Sequence, residues 1–150
     1  RILRAYQQAV EAREGDPAPV EALIAFGTHV GRVVEVDDAY KELIRRRRED
    51  PGPLVRHGDF LAKVVKDPKR AVEQYQQALI WRPDEGSIKA RLADVYLGLA
   101  GEHLRKREYM AAQVHVQAAR RYVTDPQSPQ SELLRSYEQQ LQDIRAGVVR

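Results

Sequence analysis

Cysteine is absent from the 150-residue chain, which excludes disulfides, thiolate metal sites and cysteine nucleophiles together. Tryptophan and methionine occur once each and phenylalanine twice, leaving aliphatic residues and seven tyrosines to build a core. No apolar run approaches the roughly 20 residues that a membrane-spanning helix needs, so no membrane insertion is expected. An excess of one charge is missing too. The 25 basic and 22 acidic residues leave a formal +3, too even for the phosphate-neutralising surface of a nucleic-acid binder. The opening Arg1-Ile2-Leu3 has neither Met nor a charged-then-apolar leader, which reads as a piece of a longer protein with no signal peptide. Lack of cysteine suits cytosol and periplasm alike; with no leader and no span in view, the cytoplasm is slightly favoured.

What is present is helical spacing. Apolar residues recur at three and four through Val20, Leu23, Ile24, Gly27 and Val30, through Val72, Tyr75, Ala78 and Leu79, and through Leu134, Tyr137, Leu141 and Ile144. No stretch alternates with period two, so the fold class expected is all-α. Asp-Pro pairs at 16–17, 50–51, 67–68 and 125–126 precede helical patterns; Asp can cap orphan amides and Pro suits the first helical position. Helices are expected over 1–14, 17–34, 37–49, 51–65, 68–82, 85–105, 108–123 and 129–146. Their short connections imply antiparallel hairpins. The boundary near Arg105–Glu108 carries no Pro, Gly or Asp, and Gly98 and Gly101 are expected to loosen that helix earlier.

Five letters repeat: "YQQAV" at 6–10 and "YQQAL" at 75–79. Around the second copy, Ala71, Tyr75, Ala78 and Pro83 are spaced 4-3-5, a spacing kept by Ala39, Leu43, Arg46 and Pro51. Ala111, His115 and Ala118 keep its first two steps, with the proline delayed to Pro126. Gly27 stands 12 residues before Ala39, and Gly58 stands 13 before Ala71. A helical hairpin recurring at this period is the signature of a solenoid, because a small residue lets two helices cross closely and larger ones fill the flanks.

In these residues the chain resembles the tetratricopeptide repeat family. "EALIAFGTHVGRVVEVDDAYKELIRRRREDP" (21–51) and "LVRHGDFLAKVVKDPKRAVEQYQQALIWRP" (54–83) match it in the small residue of the first helix and the closing Pro; 54–83 has the full Ala-x-x-x-aromatic-x-x-Ala pattern of the second helix, 21–51 keeps its spacing with Ala39, Leu43 and Arg46, and 88–122 matches more loosely. Arg46 stands where a small residue is usual, and His57 and His115 where larger apolar groups are usual. The resemblance implies a right-handed α-solenoid of antiparallel hairpins in a single domain. Residues 1–16 form the second helix of a preceding repeat, 17–50 and 51–83 are repeats, 84–126 is a longer divergent repeat, and 127–150 is a capping helix. About six extra residues in the third unit are expected to lengthen both of its helices.

No catalytic constellation stands out. His29, His57, His103 and His115 lack a partner at metal spacing, "GLAG" (98–101) lacks the Lys-Ser/Thr of a phosphate loop, and paired carboxylates sit at helix ends, where capping accounts for them. No metal, cofactor or enzymatic activity is expected. The run Arg45–Arg48 suits the last turn of a helix better than an anion site, and Trp81 suits a cover over a hairpin end better than an interface.

The resemblance implies a concave groove lined by the first helix of each pair, and a protein or peptide partner in it. Ile24, Val55 and Ala90 would form an apolar line. Beside it, Arg56 with Asp59 and Arg91 with Asp94 repeat an Arg-x-x-Asp step that is either a local ion pair or a polar ladder for a peptide; Thr28, Arg32 and Lys63 extend the same helices. Of the Lys, Asn and Arg clamp with which one subset of the family holds chaperone C-termini, only Arg91 fits among Ile24, Thr28, Arg56, Ser87 and Arg91, so a chaperone-tail receptor is not expected. RNA binding is the rival disfavoured by interleaved acids. A spacer or assembly module, with end-to-end self-association, is the other alternative.

Overall fold

Aspartate, serine and proline set the starts of four helices, those beginning at Ala18, Gly52, Pro68 and Pro129. The computed structural model describes residues 1–148, and among them every regular element is helical: α1 (Ile2–Ala12), α2 (Ala18–His29), α3 (Val33–Arg46), α4 (Gly52–Phe60), α5 (Pro68–Trp81), α6 (Gly86–Arg105), α7 (Tyr109–Arg120) and α8 (Pro129–Arg145). The all-α expectation holds. A wider π-helical turn, Leu61–Val65, continues α4. Asp67 caps α5 by accepting the Arg70 amide at 3.1 Å, while Asp16 and Asp50 accept the amides two residues on, Ala18 and Gly52, at 2.9 Å. At the fourth Asp-Pro pair Asp125 likewise accepts the amide two residues on, Gln127, but the helix starts later: Ser128 caps α8 by accepting the Ser131 amide at 3.2 Å, with Pro129 next.

Helix stops are less visible in the letters. After α2, α6 and α8 one residue adopts the left-handed conformation, and the following amide reaches back five residues: Arg32 to Gly27, Glu108 to His103 and Val148 to Asp143, at 2.8–2.9 Å. Glycine takes that position at Gly31 and Gly147, but Arg107 takes it at φ 60°. The turn near 105–108 is therefore real without any of the residues that usually announce one. Gly31 ends α2 at His29 rather than at 34 and lets α3 start at Val33 rather than at 37. Gly98 and Gly101 do not loosen α6, which runs unbroken for 20 residues, whereas α7 has 12; the extra length of the third hairpin goes into α6 alone.

The chain divides into two compact units, Arg1–Pro83 and Asp84 onward. In the first unit, Val20, Leu23 and Ile24 of α2 pack with Val36, Ala39, Tyr40 and Leu43 of α3 and with Phe60, flanked by Leu3, Tyr6 and Val10 of α1. Burying each of the larger side chains contributes about 1.5–3 kcal/mol. The hairpins cross on glycine: a Cβ on Gly27 would stand 2.6 Å from Val36 Cγ2, and one on Gly58 would intrude into the Tyr75 ring. Tyr75 is thereby buried, and its hydroxyl donates to Asp59 at 2.6 Å.

Arg46, the departure from a small residue, has a structural use. Its side chain is only 3% exposed. The guanidinium donates to the carbonyls of Val10, Arg13 and Asp16 at 2.5–3.0 Å and to Glu42 at 2.6 Å. It thus satisfies carbonyls at the end of α1 and in the turn beyond, where no intrahelical amide is left to bind them.

In the second unit, Leu97 and Ala100 of α6, Ala112, Val116 and Ala119 of α7, and Leu134 and Leu141 of α8 form one core. Helix α8 packs on both members of the hairpin. Gly101 admits it: a Cβ there would meet the Tyr137 hydroxyl at 2.5 Å. Trp81, expected to cover a hairpin end, is 52% exposed.

Candidate partner-binding surface

On α2, Ile24 is 3% exposed and belongs to the core, so it supplies packing and not an open apolar line; this corrects its expected place in the groove. Thr28 and Arg32, on and just beyond the same helix, are exposed, and Arg32 is bound to Glu35 at 2.5–3.0 Å. On α4, Val55 is half-buried and Arg56 exposed. Arg56 reaches across to α2, donating to both oxygens of Glu21 at 2.8 and 3.1 Å, with its guanidinium carbon 5.7 Å from the centre of the Tyr40 ring. Burial is the largest single influence and opposes its charge, but the hydrogen bonds and charge of Glu21, with Tyr40, together raise its pKa. The buried Tyr40 hydroxyl is pushed up by desolvation, with Arg56 acting the other way. Asp59 accepts the Tyr75 hydroxyl, and Lys63 sits exposed on the π-helical turn.

On α6, Ala90 and Arg91 are half-buried and Asp94 is exposed. Gln130 of α8 donates to the Ala90 carbonyl at 2.8 Å and to Asp94 Oδ1 at 2.5 Å, while Arg91 donates to the Ser87 carbonyl at 3.2 Å. The two Arg-x-x-Asp steps therefore serve different ends, a bridge to α2 in the first unit and an anchor for α8 in the second. Glu21 and Gln130, which sequence reasoning missed, decide this. Each lies more than 30 residues from its partner, so no local spacing could announce it.

Two part-buried clusters bind helices together. Asp37 receives the His57 ring at 2.6 Å and Arg70 through both oxygens at 2.9 Å, tying α3 to α4 and α5. Burial of Asp37 works against its charge, yet the bonds from His57 and Arg70 hold its pKa below the usual carboxylate range. In the second unit, His103, His115, Tyr96 and Tyr122 form a run of stacked rings with centroids 5.1–6.1 Å apart. His115 Nδ1 is buried without a partner, and desolvation, then the neighbouring His103, lowers its pKa. Among the described residues no group of three His, Asp or Glu could hold a metal ion, and no helix is long and apolar enough to cross a membrane.

The arginine run is largely neutralised. Arg45 and Arg46 share Glu42, whose pKa is held down to about 2 by the Arg45 bonds above all, and Arg47 lies within 4 Å of Glu21 and Asp50. No family model matches the chain, nor does any curated protein.

Proposed function

We propose that the chain is a non-catalytic scaffold of the tetratricopeptide-repeat kind, a right-handed solenoid whose first helices present a groove to a peptide or protein segment. The observation that carries the reading is the recurrence of one construction in the first unit. Hairpins α2–α3 and α4–α5 each cross on a glycine, Gly27 and Gly58, and turn the first helix of each pair to solvent at Thr28, Arg32, Arg56 and Lys63. The interior fixes those helices through Arg46 and the Asp37–His57–Arg70 cluster, so the surface is preorganised and a partner bears most of the ordering cost. Pairing of Arg45 with Glu42 and of Arg47 with Glu21 breaks up the most basic run, which counts against an RNA surface there. A spacer or assembly module draws support from α7, which leaves Met110 and Val114, four residues apart, exposed within the second unit.

A peptide array screened with the chain tests the binding reading. Peptides captured by the unaltered protein are expected to be lost, by about tenfold in affinity or more, with Arg56→Gln or Arg91→Gln. Circular dichroism melts should move little, because the exposed Arg56–Glu21 pair contributes only about 0.2–1 kcal/mol. Affinity unchanged in both variants removes the site from the groove.

A further inference from the structure

Helix α7 buries Ala112, Val116 and Ala119 and turns its opposite side to solvent. On that side Met110, Val114, Gln117 and Arg121 follow one another at steps of four, three and four residues, which draws one stripe along a helix. Met110 is 84% and Val114 60% exposed. Neighbouring helices meet α7 on its flanks: Arg120 is held by Glu138 of α8, and His115 stacks on Tyr96 and His103 of α6. The stripe lies outside these contacts, opposite the core, where a helix stacked beside α7 does not reach. Equivalent positions in the other hairpins are charged. Two places before the buried Ala71 and Tyr75 of α5 stand Lys69 and Glu73, and two places before Ala39 and Leu43 of α3 stand Asp37 and Lys41, paired at 3.4 Å. Two places before Ala112 and Val116, α7 carries Met110 and Val114 instead. Single apolar residues on a surface are ordinary, whereas an i,i+4 apolar pair where like helices carry charge is area that packing would relieve of water.

The free charges at the two ends of the stripe have one sign. Helix α7 contains no Asp or Glu; Arg107 stands in the turn before it and Arg121 at its end, both exposed, and no carboxylate among the described residues lies within ion-pair distance of either. The acids next to that turn in sequence, Glu102 and Glu108, are taken by Lys106 and His103. A second copy pairing through this stripe would set arginine against arginine in either orientation, Arg121 on Arg121 with the helices parallel and Arg107 on Arg121 with them antiparallel. A lysine-rich segment would meet like charge as well.

We propose that the outer stripe of α7 docks an amphipathic helix of a partner protein, one with carboxylates at both ends of a short apolar seam. Its apolar side chains pack on Met110 and Val114 as in a two-stranded coiled coil, and its carboxylates face Arg107 and Arg121. No residue of α7 belongs to the groove proposed above, so either reading can fail alone.

Fluorescence anisotropy with the whole chain tests it against three labelled synthetic peptides: an alanine-rich helix with leucines at heptad a and d positions and glutamates at both ends of that seam, the same composition with the leucines dispersed, and a version with lysine for each glutamate. The first is expected to bind saturably and more weakly as salt rises, the other two at least about tenfold less tightly. Val114→Asp and Arg121→Glu should each weaken the first peptide by about tenfold, with the melting curve little moved because both side chains are exposed. Equal binding of the lysine or dispersed peptide, absence of saturable binding, or indifference to either substitution overturns the proposal. So does concentration-dependent self-association abolished by Val114→Asp, which would make a second copy the occupant.

Discussion

Single side chains in this protein satisfy groups that the helices alone leave open, and Arg46 is the clearest case. Removing it takes the side-chain donor from the carbonyls of Val10 and Asp16, leaves that of Arg13 with the Asp16 amide alone, and frees Glu42 from one of its two arginines. Arg46→Ala is expected to destabilise the first unit by about 2–3 kcal/mol in denaturant titration, and Arg46→Lys to recover only part of that because an ammonium lacks the guanidinium fork. Gly58 is constrained from the opposite side. Gly58→Ala drives a methyl into the Tyr75 ring and should cost about 1–3 kcal/mol. Arg107 is a residue where change should help: the left-handed conformation strains an arginine and suits glycine. Arg107→Gly is expected to raise stability by about 0.5–1 kcal/mol, measurable as a shift in midpoint at constant slope.

At the scale of elements, the α6–α7 hairpin carries a built-in sensitivity to acid. His115 is stacked between Tyr96 and His103, with a buried unpartnered nitrogen and a pKa below its ordinary value of 6.5. Because the folded form holds the ring neutral, the unfolded chain binds the proton first; the contribution is fully present above about 6.5 and is lost as pH falls below it. Urea titrations from pH 8 to 5 should show this slope in the unaltered protein and a shallower one in His115→Phe, which keeps an aromatic ring and leaves no nitrogen unpaired. Parallel slopes would discard the assignment. Elements also show how much the letters carried. The hairpin seams were legible as Gly27, Ala39, Gly58 and Ala71 because close crossing tolerates only small residues. The end of α6 was not, because left-handed closure there is made by backbone bonds around an arginine. The division of the third unit's extra residues was equally hidden, since α6 is long enough to meet α7 and α8 together.

For the whole molecule, near-balance of charge sets the response to acid. Asp37 and Glu42 have folded pKa values below the ordinary carboxylate range, Glu42 at about 2. Their contribution is present above the ordinary range and is lost as pH falls through the folded values, the unfolded chain protonating first. Protonation also exposes 25 basic residues to mutual repulsion. Stability is therefore expected to fall steeply between about pH 4.5 and 2, and Asp37→Asn to flatten part of that fall. A profile flat in this window would mean that the two carboxylates are not held in their ion pairs. On the candidate surface, exposure of Arg56 and Lys63 followed from helical phase, but the loss of Ile24 to the core and of Asp94 to Gln130 followed from packing.

The sequence by itself determined that the chain is helical, where most helices begin, and which small residues their crossings need, because capping, periodicity and close approach act over a few residues. Only the tertiary structure decided which polar groups remain for a partner. Arg56 goes to Glu21, Gln130 to Asp94 and Arg46 to the end of α1, each a bond across at least 30 residues. Such bonds depend on how helices are stacked, and a side chain's local spacing carries no record of what another helix brings against it.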